Sequence, residues 1–471
     1  MLVLARPGVA LYALMLALLG DGLVPVLIDR GMSRARILAS IRRSGASAVV
    51  GERQVLRLWW LFPPLWRLPR LALDGAALGV RDLRNASVAG TARFQCRTLA
   101  DNAHGLITFT SGSTGQPKGA DRTHASLIAQ HLAIRAHWPD QDDDIDAPCF
   151  PVLVLHNLCC GIRTVLPATD LAHPGQVDAS RVLAQLRQEQ VTRIACAPAY
   201  LERLVSACLS EDRGVPTLRS LVVGGSTLTE RLVRDTLQAF PQVQIRAVYG
   251  STEAEPIAEV DLPELLRDWD AGVGHLVGHP AAQTEVCIVN PDAPLTCDAD
   301  VAAAGLADGE AGEILVAGAH VLQGYIDNPT ANRETKVPRA QGGVWHRTGD
   351  AGYRDAQGRL WLVGRIKDAV QVEGLRRYTF DVEKALDALP GIRRSALIAG
   401  LTPQSGPLLV VEGDADDFAA LRGTLHVHGL RGVGYVRIEQ MPVDGRHNSK
   451  IDRPRLLALL AKGKLRAVQI L

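Results

Sequence analysis

The chain has 471 residues, of which 47% are hydrophobic and 21% charged, a balance that excludes intrinsic disorder and predicts two or more globular domains. The 51 basic residues against 50 acidic ones leave a formal net charge of +1, which gives no reason to expect nucleic-acid binding. The eight cysteines contain no CxxC pair, so they favour free thiols in a reducing compartment over a disulfide or zinc framework.

The first 56 residues alternate strand-like and helix-like apolar runs, which predicts a parallel α/β sheet. The predicted strands and helices are Met1–Ala5, Ala10–Gly20, Val24–Ile28, Ser33–Ser44 and Ala48–Val50. The apolar start also resembles a secretory signal peptide. Because Asp21 and Asp29 interrupt it, buried core elements of a cytoplasmic protein are favoured over export or membrane insertion.

The segment Arg57–Arg70 holds three of the seven tryptophans, with arginines interleaved. One interpretation is a surface lid or core edge that Pro63, Pro64 and Pro69 stiffen. The other is an apolar surface that touches lipid, a long acyl chain or a partner protein.

The segment Thr108–Gly119 reads TFTSGSTGQPKG and follows the apolar run Leu106–Ile107. Its glycines let backbone amides approach an anion, its hydroxyls add donors, and Lys118 adds a positive charge. The segment lacks the Walker A pattern, since Gly119 follows the lysine. A phosphate-binding loop is favoured over a flexible linker, because an apolar strand and a helix-like segment, His124–Trp138, flank it. The candidate phosphate-binding residues of the loop are Thr110, Ser111, Gly112, Ser113, Thr114, Gly115 and Lys118.

Further strands and helices follow in alternation, and three of the predicted strands lead into glycines or polar residues. A strand is predicted at Cys149–Leu155, leading into His156 and Asn157. The strand at Leu221–Val223 runs into Gly224, Gly225 and Ser226, and the strand at Arg246–Tyr249 runs into Gly250, Ser251, Thr252 and Glu253. Strands that end in this way are typical of a ligand crevice in an open α/β sheet.

From about Gly272 the pattern changes to short strands with Gly and Pro turns, which predicts a β-rich module. Gly364–Asp368 is the best candidate for a linker. The hundred or so residues after it suffice for one small α+β domain.

Five separated segments occur in the order and spacing of the adenylate-forming superfamily, which contains acyl-CoA synthetases, fatty-acyl-AMP ligases, luciferases and peptide-synthetase adenylation domains. They are Thr110–Gly119, Tyr249–Glu253, Arg347–Asp350, Gly364–Asp368 and Asn448–Arg453. Within that superfamily the chain most resembles the olefin β-lactone synthetases. The segments that carry this closer resemblance are Pro148–Pro167, His173–Val182, Gly342–Trp361 and Val443–Ile451.

The resemblance covers nearly the whole chain and implies an α/β fold. It implies a large N-terminal domain of stacked α/β sheets with a β-rich module, residues 1–366, shortened at its start by some tens of residues. It also implies a small mobile α+β C-terminal domain, residues 367–471, that carries a catalytic lysine.

The resemblance further implies roles for individual residues. The loop Thr110–Lys118 would hold the β- and γ-phosphates of ATP, Thr252 would lie beside the α-phosphate, and Glu253 would bind Mg²⁺. Gly224, Gly225 and Ser226 would line the adenine, and Tyr249 would stack on its other face. Asp350 would accept from the ribose hydroxyls, with Arg365 steadying the ribose or phosphates.

Lys450 would bridge the substrate carboxylate and the α-phosphate, and Lys367 would be the hinge about which the small domain rotates. His156 and Asn157 would lie at the entrance for the acyl carboxylate. Gly250 and Ser251 belong to the same nucleotide-binding segment as Thr252.

The function implied is ATP- and Mg²⁺-dependent adenylation of a long-chain β-hydroxy acid, followed by attack of its own hydroxyl to give a β-lactone. Two alternatives stay open at this point: transfer of the adenylate to a thiol, as in an acyl-CoA synthetase or fatty-acyl-AMP ligase, and a shortened nucleotide-binding relative without catalysis. The partners implied are the acyl substrate, other enzymes of a hydrocarbon-biosynthesis assembly and peripheral contact with a membrane.

Overall fold

A computed structural model describes residues 1–29, 31–85, 95–110, 117–171, 173–401, 406–414, 417–443, 450–463 and 469–471. The chain divides into two compact units. The first contains Met1–Leu166, Ser251–Pro256 and Ala317–His346, and the second contains Pro167–Gly250, Ile257–Val316 and Arg347–Leu471. The domain boundary predicted at residues 366 and 367 stays a prediction.

The strands are β1 (Leu2–Leu4), β2 (Val26–Ile28), β3 (Val49–Gly51), β4 (Arg70–Ala72), β5 (Arg81–Asp82), β6 (His104–Thr110), β7 (Lys118–Thr123), β8 (Ile145–Asp146), β9 (Arg163–Thr164), β10 (Arg193–Cys196), β11 (Ser220–Gly224), β12 (Gln244–Ser251), β13 (Ala254–Asp261), β14 (His275–Pro280), β15 (Glu285–Val289), β16 (Gly312–Ala317), β17 (Lys336–Pro338), β18 (Val344–Arg354), β19 (Leu360–Arg365), β20 (Val370–Val372), β21 (Leu375–Arg377), β22 (Ile392–Ile398), β23 (Leu408–Gly413), β24 (Gly434–Ile438) and β25 (Gln469–Ile470).

The helices are α1 (Val9–Gly20), α2 (Arg34–Arg43), α3 (Arg53–Leu56), α4 (His124–His137), α5 (Pro151–Cys160), α6 (Ala179–Gln188), α7 (Pro198–Glu211), α8 (Glu230–Ala239), α9 (Leu262–Arg267), α10 (Asp298–Ala303), α11 (Pro329–Thr335), α12 (Phe380–Asp387), α13 (Phe418–Val427) and α14 (Arg453–Ala461).

The first unit is built on a seven-stranded sheet in the order β5–β4–β3–β1–β2–β6–β7. All neighbouring strands pair in parallel except β6 and β7, which pair antiparallel. Successive strand residues point to opposite faces, so Leu2 packs in the core that contains Ile41 of α2, and Val3 packs in the core that contains Met15 of α1. Helices therefore cover both faces of this sheet, as the alternation in the sequence predicted.

In the second unit the strand order is β15–β16–β18–β19–β14–β13–β12–β11–β10. Strands β10, β11 and β12 are parallel, whereas β13, β14, β19 and β18 pair antiparallel in the part that the sequence predicted to be β-rich. Because β11 and β12 run in the same direction, the residues at their carboxyl ends meet at one edge.

The last part of the second unit forms its own small sheet, β22–β23–β24–β25. On β22, Leu397 contributes to a core with α12 and α13, while the adjacent Ala396 and Ile398 contribute to a core with α14. Because alternate residues of β22 point to opposite faces, helices pack on both faces of this sheet. This is the small α+β arrangement expected after residue 368.

One predicted element is wrong. Cys149–Leu155 was expected to be a strand, but residues from Pro151 onward form the helix α5, which ends at Cys160. A short apolar run does not distinguish a strand from a buried helix by periodicity, and Pro151 occupies the first turn, where proline favours a helix start.

Among the described residues, none of the helices combines the length and the apolar character that crossing a bilayer requires.

Candidate functional site

Three residues that the sequence selected, Tyr249, Asp350 and Arg365, meet in the second unit. The Tyr249 hydroxyl donates to Asp350 Oδ2 at 2.7 Å, and Arg365 Nη1 donates to Asp350 Oδ1 at 2.5 Å. The Thr348 hydroxyl lies 3.0 Å from the backbone N–H of Asp350 and accepts from it. An ionised carboxylate has about four acceptor sites, so Asp350 can accept from two further hydroxyls while keeping these donors.

The Asp350 carboxylate raises the pKa of both of its side-chain donors. The Asp350 carboxylate raises the pKa of Arg365, so the guanidinium stays protonated. Burial and the same carboxylate raise the pKa of Tyr249 well above its ordinary value, which keeps the phenol as a donor. The arrangement presents a carboxylate whose orientation two donors fix.

Glycines lie at the end of β11, next to β12. In the parallel register Gly224 pairs with Val248, the residue before Tyr249. A Cβ on Gly224 would lie 3.0 Å from the Val248 carbonyl oxygen, and Gly225 has a φ of 98°, which disfavours any side chain there. Gly224, Gly225 and Ser226 therefore lie where β11 ends, next to the part of β12 that carries Tyr249, and their contact with adenine stays a prediction.

A second group surrounds Glu253 in the first unit. The Tyr325 hydroxyl donates to Glu253 Oε1 at 2.6 Å, and the backbone N–H of Leu322 donates to the Glu253 carbonyl at 2.7 Å. The ammonium groups of Lys118 and Lys336 lie 5.2 and 5.4 Å from the centre of the Tyr325 ring. One carboxylate and two lysines are thus gathered around one tyrosine.

Burial acts to raise the pKa of Glu253, but the hydrogen bond from the Tyr325 hydroxyl and the ammonium of Lys336 help to hold it below its ordinary value. Burial, together with the nearby Lys118, lowers the pKa of Lys336 from 10.5 to about 7. Burial and Lys336 lower the pKa of His346 to about 3, so its ring is neutral at physiological pH. The lowered pKa of Glu253 therefore makes it an ionised oxygen ligand.

The phosphate-loop prediction falls only partly within the described residues. Thr110 ends β6 and pairs with Lys118 at the start of β7, so the loop connects two antiparallel strands. Lys118 is buried. Its neighbour Gly119 accepts from the backbone N–H of Ile326 at 2.9 Å, which fixes β7 beside Tyr325. Ser111, Gly112, Ser113, Thr114 and Gly115 lie outside the described residues.

Arg122 holds the segment before Glu253. Its guanidinium donates to the Thr108 hydroxyl at 2.7 Å and to the Thr252 carbonyl at 2.8 Å. The Ser251 hydroxyl accepts from the backbone N–H of Ala254 at 3.3 Å, and Gly250 precedes it in β12. These contacts orient the backbone of Thr252 and leave its side-chain role a prediction.

His156 and Asn157 lie on α5 and are both buried. The Asn157 amide donates to Asp146 Oδ2 at 2.9 Å and to the Thr164 hydroxyl at 3.2 Å, which ties α5 to β8 and β9. His156 packs against His131, with ring centroids 4.7 Å apart. Their place at a carboxylate entrance stays a prediction.

The remaining two predicted residues are exposed lysines of the second unit. Lys367 lies in a 3-10 turn, Ile366–Asp368, directly after β19. Lys450 directly precedes Ile451, which bridges to Val443. The roles of hinge and catalytic lysine stay predictions.

Sequence reasoning missed Tyr325, Lys336 and His346. Tyr325 is 72 residues from Glu253, so only the fold brings the two together. His346 directly precedes the segment Arg347–Asp350, which carried part of the resemblance. Its position beside that segment was the one local signal in the sequence that could have identified it.

Comparisons with known proteins show what this chain is similar to. A family model described as AMP-binding enzyme matches residues 1–326. An olefin β-lactone synthetase of Stenotrophomonas maltophilia is 33% identical over 484 residues, covering 96% of this chain and 85% of that protein.

Solved structures show the same fold. The amide bond synthetase McbA of Marinactinospora thermotolerans matches with a TM-score of 0.79 at 24% identity, over 98% of this chain and 89% of that one. The O-succinylbenzoate CoA synthetase MenE of Bacillus subtilis, in complex with ATP and magnesium ion, matches with a TM-score of 0.77 at 18% identity, over 97% and 88%.

Proposed function

Since this chain belongs to the family of AMP-binding enzymes and is an AMP-forming, ligase-type enzyme, we propose that it adenylates a long-chain β-hydroxy acid and converts the adenylate to a β-lactone. The products are the lactone, AMP and pyrophosphate. The observation that carries the choice of product is the 33% identity, over nearly the whole chain, to an olefin β-lactone synthetase.

The proposed ATP contacts follow from the two residue groups. Asp350, whose carboxylate Tyr249 and Arg365 orient, would accept from the ribose hydroxyls. The adenine would lie against Gly224, Gly225 and Ser226. Phosphate oxygens require a nearby cation, and Lys118 supplies one in the group around Glu253.

Glu253 fits a magnesium ligand. Its carboxylate is kept ionised by its neighbours, and Mg²⁺ prefers hard oxygen ligands of this kind. When bound, the ion would neutralise phosphate charge during adenylation. Tyr325 orients the Glu253 carboxylate through its hydrogen bond.

In the first half-reaction a carboxylate oxygen of the substrate forms a bond to the α-phosphorus, and pyrophosphate leaves. Both reacting groups are anionic, so a cation placed between them stabilises the charge that develops. We assign this role to Lys450, on a C-terminal domain that would turn about Lys367.

In the second half-reaction the β-hydroxyl oxygen of the substrate bonds to the acyl carbonyl carbon. The bond from that carbon to the AMP oxygen breaks, AMP leaves and the hydroxyl proton is released. The four-membered ring is strained, but the acyl-adenylate is activated and the nucleophile is held in the same molecule.

A pair of substrates tests the proposal. With ATP and Mg²⁺, a long-chain β-hydroxy acid should release AMP over many turnovers. The acid of equal length without the hydroxyl should stop after about one equivalent of adenylate, because it has no internal nucleophile. Equal turnover of both acids without an added thiol contradicts ring closure.

A further inference from the structure

We propose that His131, His156 and Cys160 bind a zinc ion in the first unit. Among the described residues, one ligand atom from each of these three side chains lies within 4.8 Å of the other two. His156 is buried, and His131 and Cys160 are half-buried. None of the three belongs to the groups around Asp350 or Glu253.

Two helices supply the ligands. His156 and Cys160 are four residues apart on α5, which places both side chains on the same face, one helical turn apart. His131 comes from α4, and its ring packs against that of His156 at 4.7 Å between centroids. A metal ion at this point would join the two helices.

The spacing of one pair of ligand atoms suits tetrahedral zinc. Cys160 Sγ lies 3.6 Å from His156 Nε2. Typical Zn–S and Zn–N bonds at a tetrahedral angle place the sulfur and nitrogen about 3.6 Å apart. This pair is therefore already at ligand spacing, and the ligand atom of His131 lies within 4.8 Å of both.

His131 gives an independent indication. Its Nδ1 is buried and, among the described residues, has no hydrogen-bond partner. Leaving such an atom without a partner is costly, and coordination to a cation removes that cost.

The chemical nature of the three ligand side chains determines which metal ion the site prefers. Two imidazoles and a thiolate are borderline-soft ligands, which suit zinc and not the hard Mg²⁺ proposed at Glu253. Binding exchanges the thiol proton of Cys160 for the metal, so affinity should increase with pH. Three protein ligands leave a fourth position for water or an anionic oxygen.

Cobalt is the probe, because a thiolate bound to Co²⁺ gives a charge-transfer absorption in the near ultraviolet. The chelator-treated full chain is titrated with Co²⁺, and Zn²⁺ is then added to displace it. We expect one equivalent of Co²⁺ with this absorption, lost in Cys160→Ser and retained in Cys159→Ser. Cys159 is the exposed neighbour and serves as the matched control.

The variant His131→Asn should weaken zinc affinity about 100-fold or more, since losing even a hydrogen-bond partner of a metal ligand costs about 10- to 100-fold. Melting temperatures without metal check that each variant folds. No charge-transfer absorption in the parent chain overturns the proposal. Absorption that persists in Cys160→Ser, or that disappears in Cys159→Ser, also overturns it. These readouts do not depend on the proposed reaction.

Discussion

At the scale of single residues, Glu253 has surroundings that suit an ionised carboxylate. Tyr325 donates to it, and Lys336 lies over the same tyrosine ring. The proposed nucleotide site thus depends on residues that touch Glu253 as much as on Glu253 itself, because a ligand carboxylate must be held in one orientation to act.

The variant Tyr325→Phe should lower the rate of adenylation about 10- to 100-fold, since a hydrogen bond to a charged group contributes about 1.5 to 3 kcal/mol. ATP–pyrophosphate exchange with the acid measures this step. Tyr12→Phe makes the same chemical change at a buried position on α1 and should leave exchange unaltered. Equal effects of both substitutions refute a specific role for Tyr325.

Lys336 makes stability depend on pH. Its pKa is about 7 in the folded chain against an ordinary value of 10.5, so between these pH values the unfolded chain holds a proton that the folded chain has released. The free energy of unfolding therefore rises with pH in this window, by up to about 1.4 kcal/mol per pH unit.

The variant Lys336→Met lacks this contribution. Urea unfolding of parent and variant from about pH 6 to about pH 9 should show the parent gaining stability relative to the variant as pH rises. A difference that stays constant across this range means that Lys336 keeps its ordinary pKa.

The sequence identified Tyr249, Glu253 and Asp350, because each lies in a short segment with a strong pattern. It did not identify Tyr325 or Lys336, since no local pattern marks a side chain whose importance comes from a contact made through folding. For Glu253 and Tyr325 that contact spans 72 residues.

At the scale of elements, the tryptophan-rich segment, Arg57–Arg70, contains two 3-10 turns, Trp59–Leu61 and Pro63–Leu65. Trp60 and Trp66 are 57% and 56% exposed, so more than half of each side chain can contact lipid. Trp59 is different: its indole donates to the Leu78 carbonyl, and Arg70 stacks on its ring at 4.1 Å. The outer two rings therefore form the candidate lipid-contacting surface.

Replacing Trp60 and Trp66 by Ser should reduce co-sedimentation with vesicles of phosphatidylcholine and phosphatidylglycerol about tenfold or more, because two large apolar groups are lost. The matched control replaces the exposed Leu375 and Val427 by Ser. If both double variants sediment like the parent, this segment does not contact lipid, and a partner enzyme becomes the occupant to test.

Helices and strands were predictable where the apolar periodicity of a segment and its length both indicated the same type of element. Helices α1, α2 and α4 lie where the sequence placed them. Helix α5 was mistaken for a strand because its first residues are uniformly apolar, and the burial of His156 and Asn157 depends on its being a helix.

At the scale of the whole molecule, the α/β architecture followed from the alternation of strands and helices, and the five motifs identified the superfamily. The division into two compact units did not follow. The first unit combines residues from three distant parts of the chain, which no boundary signal in the sequence reveals.

The proposed role of the C-terminal domain depends on Lys450. Lys450→Ala should lower ATP–pyrophosphate exchange about 100-fold or more, the typical cost of removing a group that stabilises transition-state charge, while ATP still binds. Lys462→Ala removes another exposed lysine of the same region and should have no effect. Unchanged exchange in Lys450→Ala means that another group supplies this stabilising charge.

The identity of the product tests the central claim most directly. Purified chain is incubated with ATP, Mg²⁺ and a long-chain β-hydroxy acid, with and without CoA, and the products are weighed by mass spectrometry. We expect a neutral product lighter than the acid by one water, formed equally in the absence of CoA. An acyl-CoA formed only when CoA is present, with no such neutral product, contradicts the account and makes the chain a thioester-forming ligase.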